Sequence, residues 1–299
     1  MMARFISHPG MRNERRGTVL ARLFILAAIV LLASLVAVGA PAEDLRHSIT
    51  ELTPVVKIHL AKTADWVAIV GKSIWVGTTG PNGVSQIDSE TNSVVGRVPL
   101  PGIPCAGLAV GFGALWVPLC ARPNSLARVD LNTRAISMVP HLGPAAREGG
   151  IATSPDSVWL VTDGRGTLAR IDPDTLRIRQ RIRVPRGSHN PLYSEGRIWI
   201  TRSAGAEVSV IRADTGLLLA SVPSGPKPRF LAGGGGSVWT TMVKVPLSAI
   251  DGSTGRVRCQ FTGPGGDSLG VNGDSLWLTD YTAGDIYRYD LDEVMRRCD

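Results

Sequence analysis

Ten residues before each of six tryptophans, at positions 75, 116, 159, 199, 239 and 277, stand Asp65, Ala106, Gly149, His189, Arg229 and Asp267. Four of these six are charged or titratable; the other two are alanine and glycine. A second polar set, Asp163, Arg165, Arg202, Asp280 and Tyr281, follows the tryptophans by three to six residues, and Arg147 and Glu148 adjoin Gly149. Aspartates, a histidine and arginines that converge in space can bind a polar small molecule, hold a cation or move a proton. The candidate ligand-binding set is Asp65, Glu148, His189, Arg202, Arg229, Asp267, Asp280 and Tyr281. His189 is the candidate base, with Asp280, Asp267 or Asp65 assisting it. The competing reading is a solvated rim whose charges pair with one another, since loop charges are usually exposed.

Other chemistry finds little support. His8, His47, His59 and His141 fall away from this set, and a lone histidine seldom makes a zinc site, which usually takes three protein ligands when catalytic. No metal is assigned from the residues alone. No P-loop, HExxH or nucleophile elbow occurs. The run Gly233 to Gly236 lies between two strand-like stretches rather than before a helix, so it is not a phosphate cradle.

The elements that must position these residues are repeated. "GKSIWVGTTGPNGVSQIDSETN" from Gly71 returns as "GALWVPLCARPNSLARVDLNT" from Gly113 and "DSVWLVTDGRGTLARIDPDT" from Asp156. It returns again as "GRIWITRSAGAEVSVIRADTG" from Gly196, "GSVWTTMVKVPLSAIDGSTG" from Gly236 and "DSLWLTDYTAGDIYRYDLD" from Asp274. The tryptophans are 38 to 43 residues apart. A turn aspartate follows each by 12 to 14 residues (Asp88, Asp130, Asp172, Asp251, Asp290), except that the fourth unit has Arg212. Each unit reads as four short strands, A to D, bounded by Gly, Asp and Pro. Four antiparallel strands per ~40–45 residues is the pattern of a propeller blade.

The expected fold is therefore an all-β propeller of six four-stranded blades, with seven as the alternative if residues 43–64 supply more than one strand. "ELTPVVKIHLA" near the start resembles an isolated strand D, and the last unit lacks one. Pairing of the N- and C-terminal strands would close the ring and remove an exposed edge. The repeated tryptophans read as packing between blades. The turn aspartates read as acceptors for backbone N–H groups; their spacing lacks the DxDxDG clustering of calcium loops. In this arrangement the D–A and B–C loops share one face of the disc. Strand A lines the channel, so the polar set gathers at one mouth.

Residues 1–42 read as a leader. Arg4, Arg12, Arg15, Arg16 and Arg22 precede an uncharged run from Leu23 to Gly39, and "APA" at 40–42 offers a cleavage site. The run is long for a signal peptide and close to the ~18 residues of a membrane span. Both a cleaved signal peptide and an uncleaved anchor within residues 23–42 stay open, and both place residues 43–299, read as one domain, outside the cytoplasm, in the periplasm or secreted. The leader holds five arginines and one glutamate, so of the net +7 only +3 belongs to the remaining 257 residues. That balance, with export, argues against a nucleic-acid partner. Membrane contact is expected only through the leader if it is uncleaved, and the chain is expected to be a monomer that takes a small molecule or protein at its loop face.

Four cysteines, Cys105, Cys120, Cys259 and Cys298, lie in the exported part, where disulfides can form. Cys105 and Cys120 are the better local pair. Cys259 with Cys298 is a second candidate, and buried free thiols are the alternative.

The pattern "sVWvTd…lxriDpxTg", from Trp75 to the end, resembles the streptogramin lyase (virginiamycin B lyase-like) and YVTN-type β-propellers. The lyases of that family, which generally have seven blades, open a macrocyclic depsipeptide by elimination. They use a strand-A histidine with acidic residues that engage magnesium. The resemblance implies His189 as base and Asp280 or Asp267 as the acid, with magnesium as cofactor. His189 belongs to the fourth unit and the two aspartates to the sixth. The fourth unit carries Arg202 where the acid would stand.

Overall fold

The computed structural model describes residues 45–120, 124–139 and 142–298. Residues 1–42, expected to be a leader, and His141 lie outside the described residues. Six antiparallel sheets form a β-propeller. Two strands precede the first blade: β1 (Arg46–Ser48) and β2 (Val56–His59). Blade one contains β3 (Thr63–Val70), β4 (Ser73–Thr79), β5 (Gly83–Asp88) and β6 (Ser93–Pro99). Blade two contains β7 (Ala109–Gly111), β8 (Ala114–Leu119), β9 (Ser125–Asp130) and β10 (Ile136–Val139). Blade three contains β11 (Ile151–Ser154), β12 (Ser157–Asp163), β13 (Thr167–Ile171) and β14 (Ile178–Arg183). Blade four contains β15 (Ser188–Ser194), β16 (Arg197–Arg202), β17 (Glu207–Arg212) and β18 (Leu218–Pro223). Blade five contains β19 (Pro228–Gly234), β20 (Ser237–Met242), β21 (Val245–Asp251) and β22 (Val257–Thr262). Blade six contains β23 (Leu269–Asn272), β24 (Ser275–Asp280) and β25 (Asp285–Asp290), followed by a short helix, α1 (Leu291–Arg296).

Blade six takes its fourth strand from the other end of the chain. β2 pairs antiparallel with β25, in register Val56↔Arg288 to His59↔Asp285. Lys57 Nζ and His59 Nδ1 each lie 2.8 Å from the Asp285 carboxylate. Burial works to raise the Asp285 carboxyl, but the Lys57 ammonium and the His59 imidazole outweigh it and hold it below the usual range. The ring is thus closed by the expected union of the two ends, and it has six blades, not seven. β1 is an addition the repeats do not announce: it pairs parallel with β22 as a fifth strand on the outer edge of blade five.

All six repeat tryptophans are buried. Each withdraws roughly 150–250 Å² from water, worth about 4–6 kcal/mol in gross transfer free energy. Three are covered by a cross-strand arginine: Arg128 over Trp116 at 5.4 Å, Arg170 over Trp159 at 5.4 Å and Arg288 over Trp277 at 5.8 Å. In blade one Gln86 stands opposite Trp75, and Arg134 of the next blade reaches over the ring instead, 5.2 Å away. In blade five Ala249 stands opposite Trp239. Leu291 and Val294 of α1 belong to the same apolar cluster as Trp239. Ser237 in that blade loses the bond that its counterparts Ser157 and Ser275 receive from Arg170 and Arg288, and its hydroxyl is buried without a partner.

Both cysteine pairs are disulfides. Cys105–Cys120 fastens the loop before β7 to the end of β8, and Cys259–Cys298 fastens the residues after α1 to β22. No free cysteine exists among the described residues. The turn aspartates behave as their spacing implies: Asp88, Asp130, Asp172 and Asp251 accept the backbone N–H of the threonine three residues on, at 2.7–2.8 Å. Asp290 makes the same bond to Glu293 and so caps α1.

Candidate functional site

The first strands of all six blades line a central cavity of about 250 Å³, walled by Val67, Ala109, Ile151, Leu192, Ala232 and Leu269 among others. Most of these side chains are apolar, with Thr153 and Tyr193 among them. The residues ten before each tryptophan stand at or before the starts of these strands.

Arg229, at the start of β19, organises that entrance. Its Nη1 donates to Asp267 Oδ1 at 2.8 Å and its Nη2 to Glu148 Oε2 at 3.0 Å. One guanidinium of blade five therefore ties the loop before β23 to the loop before β11. Burial works against its charge, but the bond to Asp267 and the charges of Asp65 and Glu148 outweigh it and hold the guanidinium above its ordinary value. The second oxygen of Asp267 accepts the backbone N–H of Tyr281 at 2.7 Å. The Tyr281 side chain itself is 42 % exposed.

Asp65 is the most deeply placed member. It is almost fully buried, accepts the Trp66 N–H at 2.8 Å, and receives the Thr279 hydroxyl at 3.4 Å. Burial raises its carboxyl well above the ordinary value, and the negative charges of Asp267 and Glu148 add to that. A bulge between Asp65 and Val67 turns Trp66 to φ 56°. The ring then packs over Gly77, where a Cβ would lie 2.7 Å from Trp66 Cε3.

His189 begins β15 in blade four. Burial lowers its imidazole; hydrogen bonds to the backbone of Gly187 and Thr201 oppose this, and the positive charge of Arg229 adds to the lowering. The structure thus brings together Asp65, Glu148, His189, Arg229 and Asp267, with the backbone of Tyr281. Two expected members stand apart. Arg202 donates to Glu207 Oε1 at 2.9 Å and to the Arg186 carbonyl at 3.2 Å, as an internal brace of blade four. Asp280 accepts the Ala283 N–H at 3.0 Å and shapes its own turn. Asp163 does likewise with Arg165 N–H at 2.9 Å.

Three threonines that the sequence reading passed over fix this geometry. They stand two residues after the tryptophan in the last three units. Thr201 donates to the Arg229 carbonyl at 2.9 Å and Thr241 to the Asp267 carbonyl at 2.9 Å, each reaching into the next blade. Thr279 donates to the Ser268 carbonyl at 3.1 Å and lies 3.4 Å from the Asp65 carboxylate of blade one. The same hydroxyls accept the backbone N–H of Asn190, Phe230 and Ser268. The signal was legible as a Trp-x-Thr pattern, which the first three units lack. Asn190 was also missed. It is buried beside Gly150, and both its amide atoms lack partners.

No family model matches this sequence, and no curated protein matches it. Solved structures do. A structural-genomics protein from Bacteroides thetaiotaomicron is 14 % identical with a TM-score of 0.61, over 80 % of this chain and 73 % of that one. A streptogramin B lyase is 16 % identical with a TM-score of 0.56, over 79 % of this chain and 86 % of that one. BamB from Moraxella catarrhalis is 13 % identical with a TM-score of 0.51, over 80 % of this chain and 99 % of that one. These likenesses establish the fold. At such identities they carry no residue roles, and function has to be argued from the mouth itself.

Proposed function

We propose that the chain is an exported binding scaffold that recognises a cationic or hydrogen-bond-donating group of a small molecule or protein at the mouth of its loop face. The observation behind this is the Arg229 bridge between Glu148 and Asp267. A half-buried guanidinium holds two carboxylates of different blades in fixed places, which is pre-organisation suited to recognition. Glu148 and Asp267 together outweigh the single positive charge of Arg229, so this triad keeps a negative charge in excess. Tyr281 offers an exposed ring beside it for stacking or cation–π contact. The two disulfides accord with an oxidising compartment, extracellular or periplasmic.

The test is titration calorimetry with short peptides of equal length that end in a lysine, a neutral or a glutamate side chain. Lysine-ended peptides are expected to bind the native chain and to weaken on Glu148→Gln or Asp267→Asn. No binding by any peptide, together with the same catch from an exported-fraction extract for native and altered mouths, would remove this reading.

A second reading, elimination of the streptogramin lyase kind, draws on the His189 imidazole at the mouth, which burial holds below its ordinary value. Its magnesium does not fit the residues present. Glu148 and Asp267 are already held by Arg229, Asp280 serves its turn, and no three His, Cys, Asp or Glu side chains converge to hold a metal among the described residues. Ring opening of a streptogramin B depsipeptide by the native chain but not by His189→Ala would favour this reading over the scaffold.

A further inference from the structure

In most blades a small residue two before the tryptophan faces an aspartate on the next strand. Ser73↔Asp88, Ala114↔Asp130, Ser237↔Asp251 and Ser275↔Asp290 are such pairs. Blade four breaks both halves of this rule at one place: β16 carries Arg197, and β17 carries Arg212 directly opposite it. Residues paired in this way project from the same face of the sheet, with Cβ atoms about 4.5–5.5 Å apart, and like charges so placed repel. A guanidinium has no acceptor with which to meet another guanidinium. Both side chains are exposed, and neither makes an ion pair among the described residues. Arg197 Nη1 reaches only the Gly252 carbonyl of blade five, at 3.5 Å.

The face that carries the two arginines looks toward blade five. Trp199 stands two residues after Arg197, hence on the same side of β16, and it shares an apolar cluster with Val238 and Ile250 of blade five. Between these blades runs a groove of about 540 Å³, lined by Glu195, Arg197, Trp199, Gly236, Val238 and Gly252 among others. It lies where β15 and β19 end, on the opposite side of the disc from the mouth, where those strands begin.

The sequence explains why this groove stays open. In blades three and six the residue opposite the tryptophan is an arginine, Arg170 or Arg288, which covers the ring and donates to a serine of its own blade. In blade four that residue is Val210, which is buried in the apolar cluster. On the far wall Gly236 has no side chain, and a Cβ there would meet nothing within 4 Å. Glu195 is the acid on this wall; it is exposed and pairs with neither arginine. A single surface arginine needs no partner beyond water. Two that repel across one pair of strands, beside a groove with apolar walls, are satisfied together by one doubly charged anion.

We infer that the groove between blades four and five is a binding site for a phosphate monoester. The guanidinium forks of Arg197 and Arg212 match phosphate oxygens in geometry and charge. The organic part of the ligand lies along the groove against Trp199 and Val238, and its volume is that of a small-molecule site. This site is separate from the mouth and does not depend on its reading.

The experiment is calorimetric titration of the full chain with phenyl phosphate, inorganic phosphate and benzoate, joined to hydrogen exchange. Phenyl phosphate is expected to bind more tightly than the other two and to add protection at 194–199 and 211–215. Arg197→Ser and Arg212→Asp place in blade four the residues that other blades carry, so the ring should form in both. Each should weaken phenyl phosphate binding by about tenfold or more, the loss expected for one charged hydrogen bond. Glu148→Gln, at the mouth, should leave it unchanged. Benzoate binding as tightly as phenyl phosphate would assign the groove to monocarboxylates and overturn the proposal. No saturable binding, equal binding by the native chain and both arginine variants, or loss of binding in Glu148→Gln would overturn it as well.

Discussion

Arg229 Nη1 and Asp267 Oδ1 stand 2.8 Å apart, and each residue is held from behind by a threonine of the preceding blade. The pair is therefore positioned by the ring as well as by its own charge. Removing the guanidinium leaves Asp267, Glu148 and Asp65 facing one another in a half-buried space. Arg229→Gln should cost about 2–3 kcal/mol, below the full figure for a deeply buried pair because the side chain is 24 % exposed. Adding Asp267→Asn should restore part of the loss in a double-mutant cycle followed by urea denaturation. Strict additivity of the two changes would refute the coupling.

Asp65 supplies a pH signature. Its folded carboxyl is raised, mainly by burial, so the folded chain retains a proton that the unfolded chain releases near the ordinary carboxylate value. The associated stability is complete below that ordinary value and declines as pH rises toward the folded value. Asp65→Asn should remove this decline. The variant should melt a few degrees above the native chain at pH 8 and by a smaller margin at pH 4, measured by circular dichroism.

The buried amide of Asn190 has no hydrogen-bond partner on either atom. An apolar side chain of similar size avoids that desolvation cost, so Asn190→Leu should stabilise the fold by about 1 kcal/mol. A loss of stability in urea would show that the amide has a bonding role the surrounding side chains do not reveal.

Cys259–Cys298 encloses a span of 39 residues and fastens the residues after α1 to β22. Replacing both cysteines by alanine should lower stability by about 2–4 kcal/mol. The loss should be accompanied by faster amide exchange in α1 and a red shift in tryptophan emission. Unchanged α1 exchange would mean that Leu291 and Val294 alone hold the helix.

The ring was legible because a tryptophan recurs at nearly constant spacing and an aspartate follows it. Its closure was legible because one strand was missing at one end and spare at the other. β1 was not, since three residues carry too little pattern to tell an added edge strand from a linker. At the mouth, counting back from the tryptophans picks out Asp65, His189, Arg229 and Asp267, and the structure links Arg229 to Asp267 by a hydrogen bond and to Asp65 and His189 by charge. Counting forward adds Arg202 and Asp280, which bond to Glu207 and to the Ala283 N–H. Sequence position locates a loop, but side-chain direction depends on which local partner wins.

The latch at blade six has a consequence for how the chain is made. β2 is synthesised before any of the blades, yet its partner β25 follows five complete ones, with His59 and Asp285 separated by 226 positions. Until β25 is made the ring is an open arc, and no shorter length can shut it. Final stability arrives in one late event, so a chain shortened by a few residues at either end of the ring should lose cooperativity throughout the circle rather than one blade.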